Sequence, residues 1–423
     1  MIDFYQIRSP LAASSDGHLT RFISELSREL GEELRKVELE DYLRDEFALL
    51  YVASGGSEGY FLEVFDRLKE RKCFILTSGE SNSLAASMEI LSFLKKHGGS
   101  GQILHGDTAA LAGKIRALRN ASRALASLRG KKLGCIGEPS SWLIASDYDA
   151  AAVEKKLGLG FVRIPIEELL AEIALAKYED NEYTEMFKKA PFAPEETEKA
   201  LQIYGAFKRL VDRYGLCGVS VRCFDLLDTV HSTGCLGLSI LNSLGIYGGC
   251  EGDIPALLSM AVLGSITGED LFMCNPSRFD TKEGCATFAH CTLPVTMPDR
   301  FCLNTHFESG IGVAVQGSFD EGPCTLFKCS GDLSRHFAVH ARILETPFSE
   351  MLCRTQVRIA LNDFSYFLTD PIGNHHILCK GSHADEIDGY ALYVQQNFIC
   401  IVWSVVNLFL KKNISLIGNF IKV

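Results

Sequence analysis

The sequence predicts an α/β protein in which two units with parallel sheets precede an antiparallel β-barrel or sandwich. Short apolar runs alternate with helical patterns, and small polar residues follow the runs, as at the carboxyl ends of parallel strands. After about Asp270 the pattern changes, because strands become short and alternating, turns become frequent and helices become scarce.

The length of the chain predicts more than one hydrophobic core. Its 423 residues fit roughly two or three domains of ordinary size. We expect an N-terminal α/β domain over residues 1–130, a second α/β domain over 131–270 and a C-terminal domain over 271–423. With 47% hydrophobic and 22% charged residues, the composition is that of a globular protein, so each domain can bury a core.

The charge balance argues against a nucleic-acid partner. Acidic residues outnumber basic ones by 53 to 42, which gives a formal net charge of −11. A surface of that sign repels phosphate backbones, and no basic run with interleaved aromatic residues occurs in the sequence. We therefore predict that the protein binds no nucleic acid.

The cysteines predict a reducing compartment. The chain has 15 of them, scattered and without a CxxC pair, and no secretory signal pattern follows Met1. Free thiols in the cytoplasm are expected for this pattern rather than a disulfide framework.

The first unit repeats a strand, a turn of small residues and a helix. A strand is predicted from Ile2 to Ile7 and a helix from His18 to Leu43; the runs ALLYV, CFIL and QIL then each lead through a turn to a helix, the last from Thr108 to Leu128. The turns SGGSEG and TSGESNS lack the Lys-Ser/Thr of a P-loop, and no GxGxxG with a downstream acid appears. We interpret these turns as connections rather than nucleotide sites.

The pattern restarts near Lys131. An apolar strand in KKLGCIG, a helix from Tyr148 to Lys156, a strand in GFVRIPI and a helix beginning in PFAPEETEKAL follow one another. Early acids in that last helix are favourable near the positive end of the helix dipole. The strand in GVSVRCFDLLD and the small-residue helix in HSTGCLGLSILNSLGI then lead into a Gly-Gly turn before Glu251.

Six short segments predict the antiparallel part: ATFAHCTLP, GIGVAVQGSF, GPCTLFKCSG, FAVHARILE, TQVRIAL and FSYFLTDPIGNHHILCKG. Beyond them, the apolar run from Phe398 to Lys412 is shorter than the roughly 20 apolar residues that span a bilayer. We expect a buried element or an oligomer contact there rather than a membrane anchor.

Four places in the last half of the chain carry candidate metal ligands. Glu251 follows the Gly-Gly turn, Asn275 and His290 lie in predicted strands, and a GNHH run extends from Gly373 to His376. Oxygen and imidazole ligands together suit Mn²⁺, whereas Zn²⁺ would lead us to expect cysteine ligands. Taken singly, each has a structural alternative: an exposed turn acid, a hydrogen-bonded core histidine or a polar turn.

Two cysteines adjoin these candidates in sequence. Cys274 precedes Asn275 and Cys291 follows His290. Because neighbouring residues of a strand point to opposite faces, we expect both thiols to face away from the metal.

In chain order, CFDLLD, STGCLGLSILNSLGI, GCEGDIPALLSM, FMCNPSRFD, AHCTLP and GNHH resemble the L-fucose/L-arabinose isomerase superfamily, in particular its fucose-isomerase-like branch. The resemblance covers about Met1 to Tyr390. It implies two Rossmann-like α/β domains followed by a C-terminal antiparallel β-barrel domain. It further implies Mn²⁺-dependent aldose–ketose isomerisation of a small-molecule sugar through an ene-diol. The active site would lie between domains, and commonly between subunits of a homo-oligomer, a trimer or hexamer.

The resemblance also implies roles for single residues. Glu251 matches the first metal-binding carboxylate, which in the family also moves a proton. Asn275 falls on the second acidic ligand, His290 on a histidine ligand, and the C-terminal ligand falls on His375, with His376 as the alternative. Asn275 departs from the family pattern, because an amide oxygen can coordinate a metal but carries no charge and cannot act as a base.

Further candidates surround these ligands. Asp253 is the nearest acid that could supply what Asn275 lacks. His306 and His376 could reach the substrate, and Arg354 could bind an anionic substituent of a sugar. For His306 and Arg354, a structural hydrogen bond or salt bridge is the alternative.

Two other functions stay open from the sequence. Because Asn275 replaces a carboxylate, the chain could be a relative of the family that binds a sugar or its derivative without converting it. A structural assembly protein that uses the apolar tail is the third alternative.

Overall fold

The computed structural model describes residues 1–10 and 16–394. It confirms a mixed α/β protein with two parallel sheets and a closed antiparallel barrel of six strands. The predicted apolar element from Phe398 to Lys412 lies outside the described residues.

The first parallel sheet has five strands in the order β2-β1-β3-β4-β5. Alternate residues of β3 face two different apolar cores, Leu49 and Tyr51 on one side and Leu50 and Val52 on the other. Helices α1 and α5 complete the first core, and α2, α3 and α4 complete the second. The sheet is therefore covered on both faces, as parallel sheets are. The elements of this unit are β1 (Ile2–Ile7), α1 (Asp16–Leu30), β2 (Leu34–Lys36), α2 (Leu39–Arg44), β3 (Ala48–Val52), α3 (Glu58–Leu68), β4 (Lys72–Leu76), α4 (Ser83–Lys96), β5 (Ser100–Leu104) and α5 (Thr108–Ala126).

The predicted helix from His18 to Leu43 is wrong in its second half. Helix α1 ends at Leu30, and Gly31 follows with a φ of 71°, a left-handed conformation that stops a helix. The edge strand β2 comes next, with only Leu34 buried among its three residues. An edge strand this short carries too few apolar residues to produce an alternating pattern in the sequence.

The second parallel sheet has four strands in the order β7-β6-β8-β9. Because all four run in the same direction, the loops after β6, β8 and β9 meet at one edge, and Glu251 directly follows β9 there. The elements are β6 (Lys132–Ile136), α6 (Ala150–Leu157), β7 (Gly160–Ile164), α7 (Ile166–Ile173), α8 (Glu182–Lys188), α9 (Pro194–Tyr214), β8 (Gly218–Val221), α10 (Asp225–Val230), α11 (Cys235–Ser243), β9 (Tyr247–Cys250) and α12 (Ile254–Thr267).

The antiparallel barrel closes in the order β10-β11-β16-β15-β14-β17, with β17 pairing back onto β10. Of the six predicted segments, GIGVAVQGSF instead contributes β13, which pairs with β12 in a separate two-stranded sheet, and SYFLT in the last segment forms a short helix. The elements are β10 (Phe272–Asp280), β11 (Cys285–His290), β12 (Arg300–Asn304), β13 (Ala314–Ser318), β14 (Gly322–Cys329), β15 (His336–Glu345), β16 (Thr355–Ala360), α13 (Ser365–Thr369), β17 (His376–Lys380) and α14 (Ala384–Val394).

Helix α12 joins the second sheet to the barrel. Its sequence IPALLSMAVLGSIT is apolar on every side, and residues Ile254 to Leu263 are buried without exception. It packs against β8 and β9 on the sheet side, against β14 and β17 on the barrel side, and against α5. A helix apolar all round belongs in a protein core, so α12 stabilises the junction between these two parts of the fold.

Helix α14 returns the chain to the first unit. It packs against α5, where a Cβ atom added to Gly389 would lie 2.4 Å from the backbone oxygen of Ala117. Only a glycine permits this close approach of two helices. None of the helices in the described ranges is long and apolar enough to cross a membrane.

The position of α12 leads to a stability prediction. Replacing the fully buried Leu258 by alanine removes apolar contacts and leaves a cavity, so we expect the free energy of unfolding to fall by about 2–5 kcal/mol. Leu62→Ala on α3 is the matched control, because Leu62 is 53% exposed and its loss should cost less than about 1 kcal/mol. Chemical denaturation followed by circular dichroism measures both; equal losses would contradict a packed role for α12.

Candidate functional site

Three candidate ligands converge at the junction of the second sheet and the barrel. Glu251 follows β9, His290 ends β11, and His375 immediately precedes β17. One carboxylate oxygen and one ring nitrogen from each histidine lie within 4.8 Å of one another. The fold thus brings together residues that are far apart in the sequence, and the three offer the ligand atoms of a metal site.

Glu251 is held in a strained turn. Its φ is 63°, a left-handed conformation that is uncommon for a residue other than glycine. Its backbone oxygen accepts a hydrogen bond from the N–H of Ser140 at 2.9 Å, and its Oε2 accepts one from Nε1 of Trp142 at 2.6 Å. The carboxylate is mostly buried, with 13% of the side chain exposed, and its Oε1 lies 3.5 Å from Nε2 of His375.

His375 is oriented by a carboxylate from behind. Its Nδ1 lies 2.8 Å from Oδ2 of Asp253, and the ring is fully buried. A proton on Nδ1, donated to Asp253, leaves Nε2 directed at the group of candidate ligands. Histidines that bind metals in proteins almost always donate the other ring N–H to a carboxylate, a backbone carbonyl or water.

Asp253 therefore lies behind the site rather than in it. Its Oδ1 accepts the N–H of Ala256 at 2.8 Å and caps α12, while Oδ2 serves His375. The ammonium of Lys328, itself 1% exposed, is 3.8 Å from Oδ2 and balances the buried charge. Asp253 does not line the cavity, so its position does not fit the expectation that it replaces the carboxylate missing at Asn275.

The charges of the group follow from burial and from close partners. Burial alone would raise the pKa of Glu251, but the facing rings of His375 and His290 and the Trp142 N–H outweigh it and hold that pKa at about 2. Burial and the neighbouring His375 ring lower the pKa of His290 to about 4, so His290 is neutral at pH 7, as a ligand must be.

His375 and Asp253 form a coupled pair. Burial would lower the pKa of His375, but Asp253 and Glu251 raise it above the ordinary value. Burial would raise the pKa of Asp253, yet Lys328 and His375 hold it at about 2. These shifts favour the protonated form of His375 between two carboxylates, and a cation bound at Nε2 would displace that proton.

Asn275 contributes an oxygen without a partner. It lies on β10 beside the cavity, and its Oδ1 is buried with no hydrogen-bond partner among the described residues. The Nε2 of His375 is buried and without a hydrogen bond in the same way. Buried polar atoms are rarely left unsatisfied, and an ion or water is the usual explanation. One carboxylate, one amide oxygen and two imidazoles form a donor set that fits a divalent cation.

The candidate ligands open onto a small cavity between the second sheet and the barrel. The centres of water molecules can occupy about 50 Å³ of this cavity, which is room for a few waters. A larger ligand would therefore extend out through the opening of the cavity. The lining residues are Cys223, Phe224, Leu227, Thr233, Cys235, Cys250, Glu251, Asn275, His290, Cys291, His306, Glu308 and Cys353.

Cys291 lies on the cavity wall, although its sulfur is not among the converging ligand atoms of Glu251, His290 and His375. It lines the cavity, because β11 ends at His290 and the alternation of a strand no longer applies to the next residue. Cys274 does face away, with its Sγ 3.6 Å from the backbone oxygen of His376. Cys223 and Cys250 also lie on the cavity wall, with their sulfur atoms 3.3 Å apart.

His376 points to the opposite side of β17 from the cavity. Its Nε2 lies 3.1 Å from the hydroxyl of Tyr366, its Nδ1 lies 2.9 Å from the backbone oxygen of Asn374, and its ring packs among Phe288 and Phe367. Burial lowers its pKa to about 3. The geometry favours His375 as the ligand and does not fit the expectation that His376 contacts a substrate.

The two remaining candidates for substrate contact, His306 and Arg354, differ in whether they line the cavity. His306 lines the cavity, with Nδ1 3.0 Å from the Ser309 hydroxyl. Arg354 does not; its guanidinium donates to the backbone oxygen of Thr305 at 2.8 Å and lies over the ring of Phe307. Arg354 therefore supports the loop that carries His306, and the residues lining the cavity include no Lys or Arg for an anionic substituent.

A second group of possible ligands, Asp280, Glu283 and Cys285, has an internal cation. The Arg358 guanidinium donates to the sulfur of Cys285 at 2.9 Å, pairs with Glu283 and approaches Asp280 at 3.9 Å. Because this guanidinium already supplies the positive charge, the group is not a competing metal site.

Trp142 is the site residue that the sequence reasoning did not identify. It lies in EPSSW, the loop after β6, at the same sheet edge as Glu251. Its distance of 109 positions from Glu251 hides the contact. The available signal was the parallel sheet itself, since loops that follow neighbouring parallel strands meet at their carboxyl ends.

The chain matches no protein-family model, and no curated protein is significantly similar to it.

Asp253 leads to a prediction with a matched control. Asp253→Asn can still cap α12, but it leaves the Lys328 charge buried and uncompensated, so in metal-free buffer we expect the free energy of unfolding to fall by about 3–5 kcal/mol. Asp149 caps α6 through the N–H of Ala152 with the same spacing and is exposed, so Asp149→Asn should change stability by less than about 0.5 kcal/mol. Chemical denaturation of both variants with a chelator present measures the two changes in the free energy of unfolding. Similar changes in the two variants would show that the buried Asp253–Lys328 pair adds no stability beyond the helix cap.

Proposed function

We propose that this protein is a metal-dependent aldose–ketose isomerase of the L-fucose/L-arabinose isomerase type, acting on a small-molecule sugar. The observation that carries the proposal is the group formed by Glu251, His290 and His375, whose ligand atoms lie within 4.8 Å of one another beside a cavity. These are the positions onto which the family's ligands fall in the sequence. The neutral Asn275 oxygen, unbonded in the same cavity, supports a fourth ligand position.

Isomerisation requires the removal of a proton from a carbon next to a carbonyl and its return to the neighbouring carbon. Mn²⁺ held by Glu251, Asn275, His290 and His375 would stabilise the negative charge that develops on the substrate oxygens. Glu251 is ionised, and its Oε2, which keeps one lone pair beside the indole hydrogen bond, would accept the proton. Asp253 holds the proton of His375 on Nδ1, which keeps Nε2 available. The thiol and apolar side chains of the wall restrict water around the ene-diol.

Asn275 supports a second candidate function. It removes one of the two carboxylates that the resemblance implies. Asp253 cannot replace it, because Oδ1 accepts the N–H of Ala256 and Oδ2 contacts His375. A protein with this site could bind a metal and a sugar without interconverting aldose and ketose. Substrate binding without turnover is therefore the alternative to the isomerase.

The resemblance also carries proposals about architecture and assembly. We interpret the two parallel-sheet units as Rossmann-like domains that precede the barrel domain. A homo-oligomer, a trimer or hexamer, in the cytoplasm is the expected form of the protein. Size-exclusion chromatography with light scattering tests the subunit number.

The decisive assay uses purified protein, MnCl₂ and a panel of unphosphorylated aldoses and ketoses. We expect Mn²⁺-dependent interconversion of at least one pair, and we expect Glu251→Gln to lower that rate on the order of 10²–10⁴-fold because an amide cannot accept the proton. Glu138→Gln is the control, since Glu138 is an exposed acid on the neighbouring loop. Saturable sugar binding without turnover would favour the alternative, and unchanged turnover in Glu251→Gln would remove Glu251 from the mechanism.

The departure at position 275 leads to a separate prediction. Asn275→Asp restores a negatively charged oxygen at a position where the neutral oxygen has no partner. Because affinity for hard divalent cations rises with the number of charged oxygen ligands, we expect tighter Mn²⁺ binding than in the wild type, and weaker binding in Asn275→Leu. Isothermal titration calorimetry orders the three proteins; an unchanged affinity in both variants would exclude Asn275 from the metal shell.

A further inference from the structure

The loop from Glu138 to Trp142 is packed against the turn that carries Glu251. The N–H of Ser140 donates to the backbone oxygen of Glu251 at 2.9 Å. Gly252, with a φ of 70°, lies so close to the loop that an added Cβ would be 2.8 Å from Cα of Pro139. Backbone contacts therefore hold the loop and the turn in one arrangement, independently of any side chain.

Trp142 adds a side-chain contact to this arrangement. Its Nε1–H donates to Oε2 of Glu251 at 2.6 Å, and its ring packs edge to face on Phe224 with centroids 5.1 Å apart. The residue is 51% exposed, so hydrophobic burial contributes only part of what holds the ring there. The specific contact is the hydrogen bond from the indole to the carboxylate.

That hydrogen bond leaves the two oxygens of Glu251 with different surroundings. Oε2 is occupied by the indole N–H, while Oε1 faces Nε2 of His375 at 3.5 Å. An indole only donates hydrogen bonds, so Trp142 can fix the carboxylate without competing for a cation. A ligand already held in its bound orientation loses less conformational entropy when the cation binds.

We propose that Trp142 is a positioning residue of the metal centre, which acts through Glu251 by holding Oε2 and directing Oε1 toward His290 and His375. This inference rests on the proposed function, since it needs a cation at that group. The effect is important in this chain because Asn275 is neutral, which leaves Glu251 as the sole carboxylate among the four candidate ligands. The orientation of the Glu251 carboxylate then determines how much negative charge faces the cation.

The first test compares Mn²⁺ affinity in the wild type, Trp142→Phe and Ile144→Ala. The phenylalanine keeps an aromatic ring but removes the N–H, and we expect it to weaken Mn²⁺ binding on the order of tenfold, as loss of an outer partner of a metal ligand does. Ile144 is 89% exposed, two residues after Trp142 in the connection between β6 and α6, so Ile144→Ala should stay within about twofold of the wild type. Equal affinity in Trp142→Phe and the wild type would overturn the inference.

A double-mutant cycle separates positioning from a general structural effect. If Trp142 acts through Glu251, then Trp142→Phe should change the Mn²⁺ affinity of a Glu251→Gln protein by less than about twofold. In an Asn275→Ala protein, by contrast, the losses of Mn²⁺ affinity caused by the two substitutions should multiply. Electron paramagnetic resonance of free Mn²⁺ at millimolar concentration keeps weak binding measurable. The same loss from Trp142→Phe in the presence and absence of Glu251 would show that the tryptophan acts on the fold instead.

Fluorescence supplies an independent readout. The chain has two tryptophans, Trp142 and Trp403. The emission of the Trp142→Phe protein therefore gives the contribution of Trp403, which is subtracted. We expect the emission of Trp142 to change on titration with MnCl₂, with the midpoint found by calorimetry, and the change to be absent in Glu251→Gln. Saturable binding with no change in Trp142 emission would contradict the inference while leaving the proposed function intact. A wild-type protein that binds no Mn²⁺ would overturn both.

Discussion

The carboxylate of Asp253 is the interaction on which both the fold and the site depend. One of its oxygens caps α12, the helix that joins the second parallel sheet to the barrel, and the other holds the ring of His375 from the barrel side. The ammonium of Lys328 on β14 balances its charge in a region closed to water. A single buried acid thus fixes how the two parts meet and which way an imidazole points.

The turn that contains Asp253 also positions Glu251. Glu251 precedes Asp253 by two residues, so the loop that caps the helix also presents the candidate metal-binding carboxylate. Asp253 lies behind the site and orients His375, whereas Glu251 lies in the site as a candidate ligand. With Asn275 neutral, Glu251 is the only carboxylate among the four candidate ligands, so its positioning becomes correspondingly important.

Much of the fold was predictable because local patterns are strong where strands are buried. The runs ALLYV and CFIL form buried parallel strands, and the change of pattern after Asp270 marks the barrel. Glu251, His290 and His375 were found through motif order. The sequence could not reveal that Asp253 serves α12 and His375 at once, that Arg354 turns to Thr305, or that Trp142 reaches Glu251, because these depend on contacts between distant segments. Nor does the pattern show that Cys291 lines the cavity, because strand alternation ends with β11 at His290.

We propose that a divalent cation binds where the second sheet meets the barrel. Crystals of the full chain grown with MnCl₂ and measured at the manganese absorption edge test it most directly. We expect one anomalous peak bonded to Glu251, His290 and His375, with the Asn275 oxygen beside it and Asp253 behind His375. An anomalous peak elsewhere, or none at saturating MnCl₂, would contradict it.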